Sequence, residues 1–115
     1  MVDVEISEEE SNTLWQEFGT KNLTRSSEKR LLYLILERPR RLRKLISSGR
    51  LWEHLEDIAE RAKRYREDVL RMLWERNPPK EGESPEAVRN MHMLMAEEMV
   101  MANIISPEAS VEREE

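Results

Sequence analysis

The clearest pattern of apolar and polar positions lies between Arg50 and Arg76, where Leu51, Leu55, Ile58, Ala62, Tyr65, Val69 and Met72 follow alternating spacings of four and three. That is a heptad seam on one long helix, about 40 Å at 1.5 Å per residue. Trp52, Ala59, Leu70, Leu73 and Trp74 widen the seam and favour a bundle helix over an isolated two-stranded coil. Upstream, Leu31, Leu32, Leu34, Ile35 and Leu36 cover most of a helix circumference, so a helix starting after Ser27 belongs in a core. Pro39 ends it and suits the first turn of the next, which runs from about Arg40 to Ser48 with Leu42, Leu45 and Ile46 inward, and Gly49 suits the residue after that helix. Two short helices therefore meet at Pro39.

The outer segments are patterned more simply. Ser7 can cap a short helix carrying Leu14, Trp15 and Phe18 until Gly19, and Thr20 to Ser27 reads as a linker. Asn77 to Gly82, with Pro78 and Pro79, breaks the long helix. Ser84, Pro85 and Glu86 then open a last helix to about Ile105, with Val88, Met91, Met95, Ala102 and Ile105 on its inner face and Leu94, Met99 and Met101 broadening it. The expected organisation is an all-α bundle over residues 27–106, preceded by an acidic segment with one short helix over 1–26 and followed by a disordered acidic tail over 107–115.

Composition narrows the class. Of 115 residues, 38% are hydrophobic and 37% charged with only 3 Gly, a bias toward solvated helices with a modest core and against strands. The absence of Cys removes disulfides, thiolate nucleophiles and Cys-based metal sites, which suits a reducing cytoplasm. Asp3, Glu5, Glu8, Glu9 and Glu10 stand where a secretory signal would be basic and then apolar, and no apolar run is long enough for a bilayer, so no membrane association is expected.

The net charge of −5 conceals a split. Arg25, Lys29, Arg30, Arg38, Arg40, Arg41, Arg43, Lys44 and Arg50 face only Glu28 and Glu37 in the same stretch. Of these, Arg38, Arg40, Arg41, Arg43 and Lys44 gather at the Pro39 corner, where a helix-turn-helix-like element could lay them against the phosphates of DNA. The other reading is a charged outer face paired with the acidic tails or the Glu-rich helix; the corner carries no base-reading Asn or Gln. Met91, Met95 and Met99 offer an adaptable apolar face, as core or as a partner interface, in preference to a Cu(I) site. His54 and His92, one per helix, make a poor metal site, and His54 reads as a polar partner beside the seam, not as a ligand or a base. With no phosphate loop, nucleophile elbow or nucleophile–base pair, neither an enzyme nor a cofactor is expected.

Three blocks resemble the TnpV family, small proteins encoded on conjugative and mobilisable transposons of Gram-positive bacteria. They are YLILERP with Tyr33, Leu34, Glu37 and Pro39; SGRLWEHLEDIAERA with Ser48, Gly49, Leu51, His54, Leu55, Ile58 and Ala62; and AEEMVMANII from Ala96 to Ile105. The resemblance runs from about Arg30 to Ile105 and departs from the family in the Met-rich start of the last helix. It implies an accessory protein of a mobile element and supplies no catalytic or binding residues. Two working readings result: an accessory protein contacting DNA through the Pro39 corner, or an adapter or inhibitor binding a protein partner through helix faces. The long seam packs either within one chain or in a homodimer.

Overall fold

Ser7 opens the first helix, α1 (Glu8–Gly19), by a reciprocal capping box: its Oγ accepts from Glu10 N at 3.1 Å while Glu10 Oε1 accepts from Ser7 N at 3.0 Å. A computed structural model describes residues 5–19, 21 and 23–107, so Asp3, Thr20 and the tail from Glu108 lie outside the described residues. α2 (Arg25–Glu37) starts earlier than the sequence pattern places it. Thr24, not Ser27, is its cap, with Oγ1 accepting from Ser27 N at 3.1 Å. Ser27 is buried instead, and its hydroxyl donates to the carbonyl of Leu55 at 2.8 Å.

α3 (Pro39–Ser47) follows with only Arg38 between, and Pro39 occupies its first turn as expected. Its end is a Schellman motif: Gly49 N donates to Ile46 O at 3.1 Å and Arg50 N to Leu45 O at 2.9 Å, with Gly49 at φ 73°, the left-handed region that favours glycine. The chain then enters α4 (Leu51–Arg76), the predicted long helix. α5 (Pro85–Val100) is capped by Ser84, whose Oγ accepts from Ala87 N, and passes into a π-helical turn, Met101–Ile105. Five α-helices and this turn make an all-α fold, with no strand among the described residues.

The long axis of the molecule is 61 Å against 33 and 21 Å, so no single core fills it. At one end Leu14 and Phe18 of α1, Leu31, Leu34 and Ile35 of α2, and Leu42 of α3 pack with Leu51 and Leu55 of α4. Burying Leu31, Leu34, Leu42 and Leu55 completely contributes about 1.5–3 kcal/mol each. Farther along α4, Ile58 and Ala62 meet Val100 and Ile105, and Val69 and Leu73 meet Ala96. The seam is thus filled within one chain, with Tyr65 half-buried beside it. At its far end Leu73 is buried and Met72 only half-buried, because a straight helix of 3.6 residues per turn drifts off a strict heptad.

The inner face of α5 is not the predicted one. His92, Ala96 and Val100 are buried, whereas Met91, Met95 and Ala102 are exposed and Val88 is half-buried. Apolar side chains ring this helix almost completely from Met91 to Met101, so their spacing leaves the face undetermined; short Ala96 packs against α4 and the bulkier residues turn away. The π turn then carries the stripe from Val100 to Ile105, five residues on, with Ser106 N donating to Met101 O at 2.8 Å.

Candidate functional site

A buried cation ties α2 to α4 and to the π turn. Arg30, on the inner face of α2 and only 2% exposed, donates from Nε to His54 Nε2 at 3.1 Å and from Nη1 to the carbonyl of Ile105 at 2.8 Å. Its guanidinium lies over the Tyr33 ring, 5.2 Å from the centroid, and that of Arg38 lies 5.6 Å from the same ring. The Tyr33 hydroxyl donates to the carbonyl of Pro107 at 3.2 Å. A charge this deep is tolerable because the π turn ends on it, presenting a carbonyl where the helix dipole is negative. The ring faces of Tyr33 add cation–π attraction.

His54 accepts from Arg30 through Nε2, so that nitrogen carries no proton and the ring is neutral with its proton on Nδ1. Desolvation, then the nearby charges of Arg30 and Arg41, push its pKa down to about 4, against the weaker pull of Asp57. It is a polar partner beside the seam, as the sequence indicates, and the group it bonds is a guanidinium.

The predicted phosphate-binding residues do not form one outward row. Arg43 is turned to α1, with Nη1 donating to Glu10 Oε2 and Nη2 to Glu10 Oε1, both at 3.1 Å, and Nη2 also to the carbonyl of Glu5 at 2.7 Å. That fork of bonds, with the cap bond from Ser7 N, lowers the pKa of Glu10 to about 2. Arg38 Nη1 turns back to the carbonyl of Glu37 at 2.9 Å. Arg41 is half-buried near His54, Arg40 and Lys44 are exposed, and each of Arg38, Arg40, Arg41 and Arg43 has an interaction partner.

The second candidate surface is the outer face of α5. Met91 is 59% exposed, and Leu94 at 67% and Met95 at 41% follow one turn on along the helix. Met99, grouped with them in the sequence reading, is half-buried and packs against the cluster of Val69, Leu73 and Ala96. At the open end, Trp74 of α4 takes the buried His92 edge-on at 6.2 Å and carries the guanidinium of Arg89 at 5.2 Å from its centroid.

The family described as "Transposon-encoded protein TnpV" matches residues 5–105, from the first cap to the last π-helical residue. The chain belongs to the TnpV family. No curated protein and no solved structure matches it. The family match takes in α1, which lies upstream of the blocks that carry the resemblance in the sequence and whose Leu14 and Phe18 share the core of α2 to α4.

In this TnpV chain the most consequential polar residue, Arg30, is one that sequence reasoning counted only as surface charge. A signal was available: Ser27, Arg30 and Leu34 are spaced three and four apart and form one buried stripe with Leu31. Among the described residues no group of three or more His, Asp or Glu could hold a metal ion, and no helix is long and apolar enough to cross a membrane. The arrangement can hold helices in register at the corner and can present apolar side chains from α5.

Proposed function

We propose that this transposon-encoded protein is a non-enzymatic accessory factor that works by binding protein through the outer face of α5. The observation that carries this reading is the exposure of Met91, Leu94 and Met95 at helical spacing on a helix that already buries a separate stripe, His92, Ala96 and Val100, against its own chain. Flexible methionines beside a leucine make an adaptable surface for a partner helix or groove. The test is Leu94→Glu in the mobile element that encodes the protein. Because Leu94 is exposed, helicity and thermal stability should match the parent, while movement of the element should fall to the level of a deletion of the whole gene. Movement at the parental level, in an element where the deletion is defective, would overturn the reading.

DNA contact is a second reading, supported by Arg40 and Lys44, exposed one turn apart on α3. It predicts duplex binding that falls steeply with salt and a shallower salt slope for Arg40→Ala with Lys44→Ala. An identical slope in the double variant would remove it.

A further inference from the structure

We infer that the acidic segment 108–115 docks on the Pro39 corner of its own chain, as the counter-anion of Arg38, Arg40, Arg41 and Lys44. Nothing in this contact involves the outer face of α5. Two observations select this occupant. The first is where the segment starts. The Tyr33 hydroxyl donates to the carbonyl of Pro107 at 3.2 Å, and the guanidinium of Arg38 lies 5.6 Å from the centroid of the same ring. Two residues earlier, buried Arg30 holds the carbonyl of Ile105 at 2.8 Å. The chain is therefore tied to α2 at the residue before Glu108, beside the turn into α3. Eight residues from that anchor reach at most about 26 Å at 3.3 Å each. Arg40 and Lys44 are only about 6 Å apart along α3 at 1.5 Å per residue.

The second observation is charge. Residues 108–115 carry Glu108, Glu112, Glu114 and Glu115 against Arg113 alone. With Arg43 turned to Glu10, the corner sets Arg38, Arg40, Arg41 and Lys44 against Glu37. Arg38 bonds a carbonyl, which leaves its charge unneutralised, Arg40 and Lys44 are exposed, and the charge of Arg41 is felt at His54. A short segment can bend to reach cations that do not form one outward row, which a stiff duplex cannot. Exposed ion pairs are individually weak, but a short tether raises the effective concentration of the glutamates to about millimolar. The recess holding Lys21, Arg25, Lys63 and Arg66 is a poorer seat: Glu56 and Glu60 line it as well, and Arg66 is bonded to Glu97. Any polyanion approaching the corner has to displace the tail, which makes the tail an internal competitor for nucleic-acid phosphates.

Because the chain has no Cys, Val111→Cys gives it a single thiol for a nitroxide label, whose broadening of backbone amide signals is read by NMR on the full chain. The signals of Arg38, Arg40, Arg41 and Lys44 should be broadened at low salt, and those of Val69 and Leu73 should keep full intensity. Tethering alone brings the label near α3, so the deciding comparison is with Glu112→Gln, Glu114→Gln and Glu115→Gln combined. That variant should keep parental helicity and lose most of the broadening on α3. Raising salt from about 0.01 M to about 1 M, which shortens the screening length from about 30 Å to about 3 Å, should do the same to the parent. Broadening on α3 that is equal in the parent and the triple variant overturns the docking and leaves a tether that only diffuses nearby. Broadening strongest at Lys21, Arg25 and Lys63 overturns the corner as the seat. In a mixture of labelled chains with isotope-enriched chains lacking the thiol, broadening of the enriched chain on α3 would assign the segment to a second copy and overturn the contact within one chain.

Discussion

The two ends of this molecule solve the same packing problem with different means. Around the start of α4, three other helices surround a core of leucines and Phe18, and the polar residues nearby are drawn into internal bonds: Ser27 to Leu55, Arg30 to His54 and Ile105, Arg43 to Glu10. Around the end of α4 only α5 is present, the buried cluster is Val69, Leu73 and Ala96, and large apolar side chains remain on the outside. The enclosed end also leaves Leu32 and Leu36 of α2 and Ile46 of α3 outside, so enclosure buries the charged Arg30 without using every apolar side chain. α5, packed on α4, buries His92, Ala96 and Val100 and keeps Met91, Leu94 and Met95 outside.

Four changes would break or sharpen that contrast. The largest effect is expected from Ile58→Asp, at the junction of the two ends, where the side chain is 1% exposed between Ala62, Val100 and Ile105. An unpaired carboxylate there should cost about 4 kcal/mol or more and leave the chain largely unfolded by far-UV circular dichroism. A folded variant with parental stability would show that the middle of α4 is not core.

Next comes Arg30→Ala, which strips a partner from His54 and from the carbonyl of Ile105 and opens space beneath Tyr33. Urea unfolding should show a loss of about 2–3 kcal/mol. The titration of His54, followed by NMR, should also move up toward the ordinary histidine value, since Arg30 is one of the charges holding it down.

Acid should act on the same corner. Burial and the neighbouring cations hold the pKa of His54 at about 4 in the folded chain, against the ordinary histidine value of 6.5 when unfolded. Between those values the unfolded chain binds more protons, so this contribution is full above pH 6.5, falls as pH drops from 6.5 to 4, and changes no further below that. The loss should be about 1–2 kcal/mol once solvent screening of the half-buried ring is allowed for. His54→Gln should flatten the stability profile in that window, and a profile as steep as the parent's would place the acid sensitivity elsewhere.

The smallest effect belongs to Glu10. Its folded pKa of about 2 lies below the ordinary carboxylate value of 4.5, so its pairing with Arg43 contributes fully above pH 4.5 and is lost as pH falls from there toward 2. Glu10→Gln should remove that acid limb and leave stability near neutrality almost unchanged, because the pair is exposed. A large loss at pH 7 would mean that α1 is held by this bond more than by Leu14 and Phe18.

Much of the fold was legible because it rests on local rules. Pro39 and Gly49 bracket α3 by backbone geometry alone, and the spacing from Leu51 to Val69 marks the buried side of α4. Where legibility failed, a local rule had two valid solutions. Thr24 and Ser27 are both good caps, and only the carbonyl of Leu55, reached across the bundle, takes Ser27 inside. The candidate site was less legible still. Arg38, Arg40, Arg41, Arg43 and Lys44 are adjacent in sequence, but the turn at Pro39 and the approach of α1 send them to different surroundings.

The sequence by itself determined that the chain is helical, where its helices begin and end to within a few residues, and that α4 carries one continuous apolar stripe, because propensity, caps and periodicity act within a single segment. Only the tertiary structure decided that the stripe is filled by the chain's own α2 and α5, that Arg30 lies inside, and that α5 turns Ala96 inward and Leu94 out. Those outcomes depend on which helix meets which. Around an almost wholly apolar helix, the choice of face belongs to the neighbour, which accepts the small side chain and excludes the large ones.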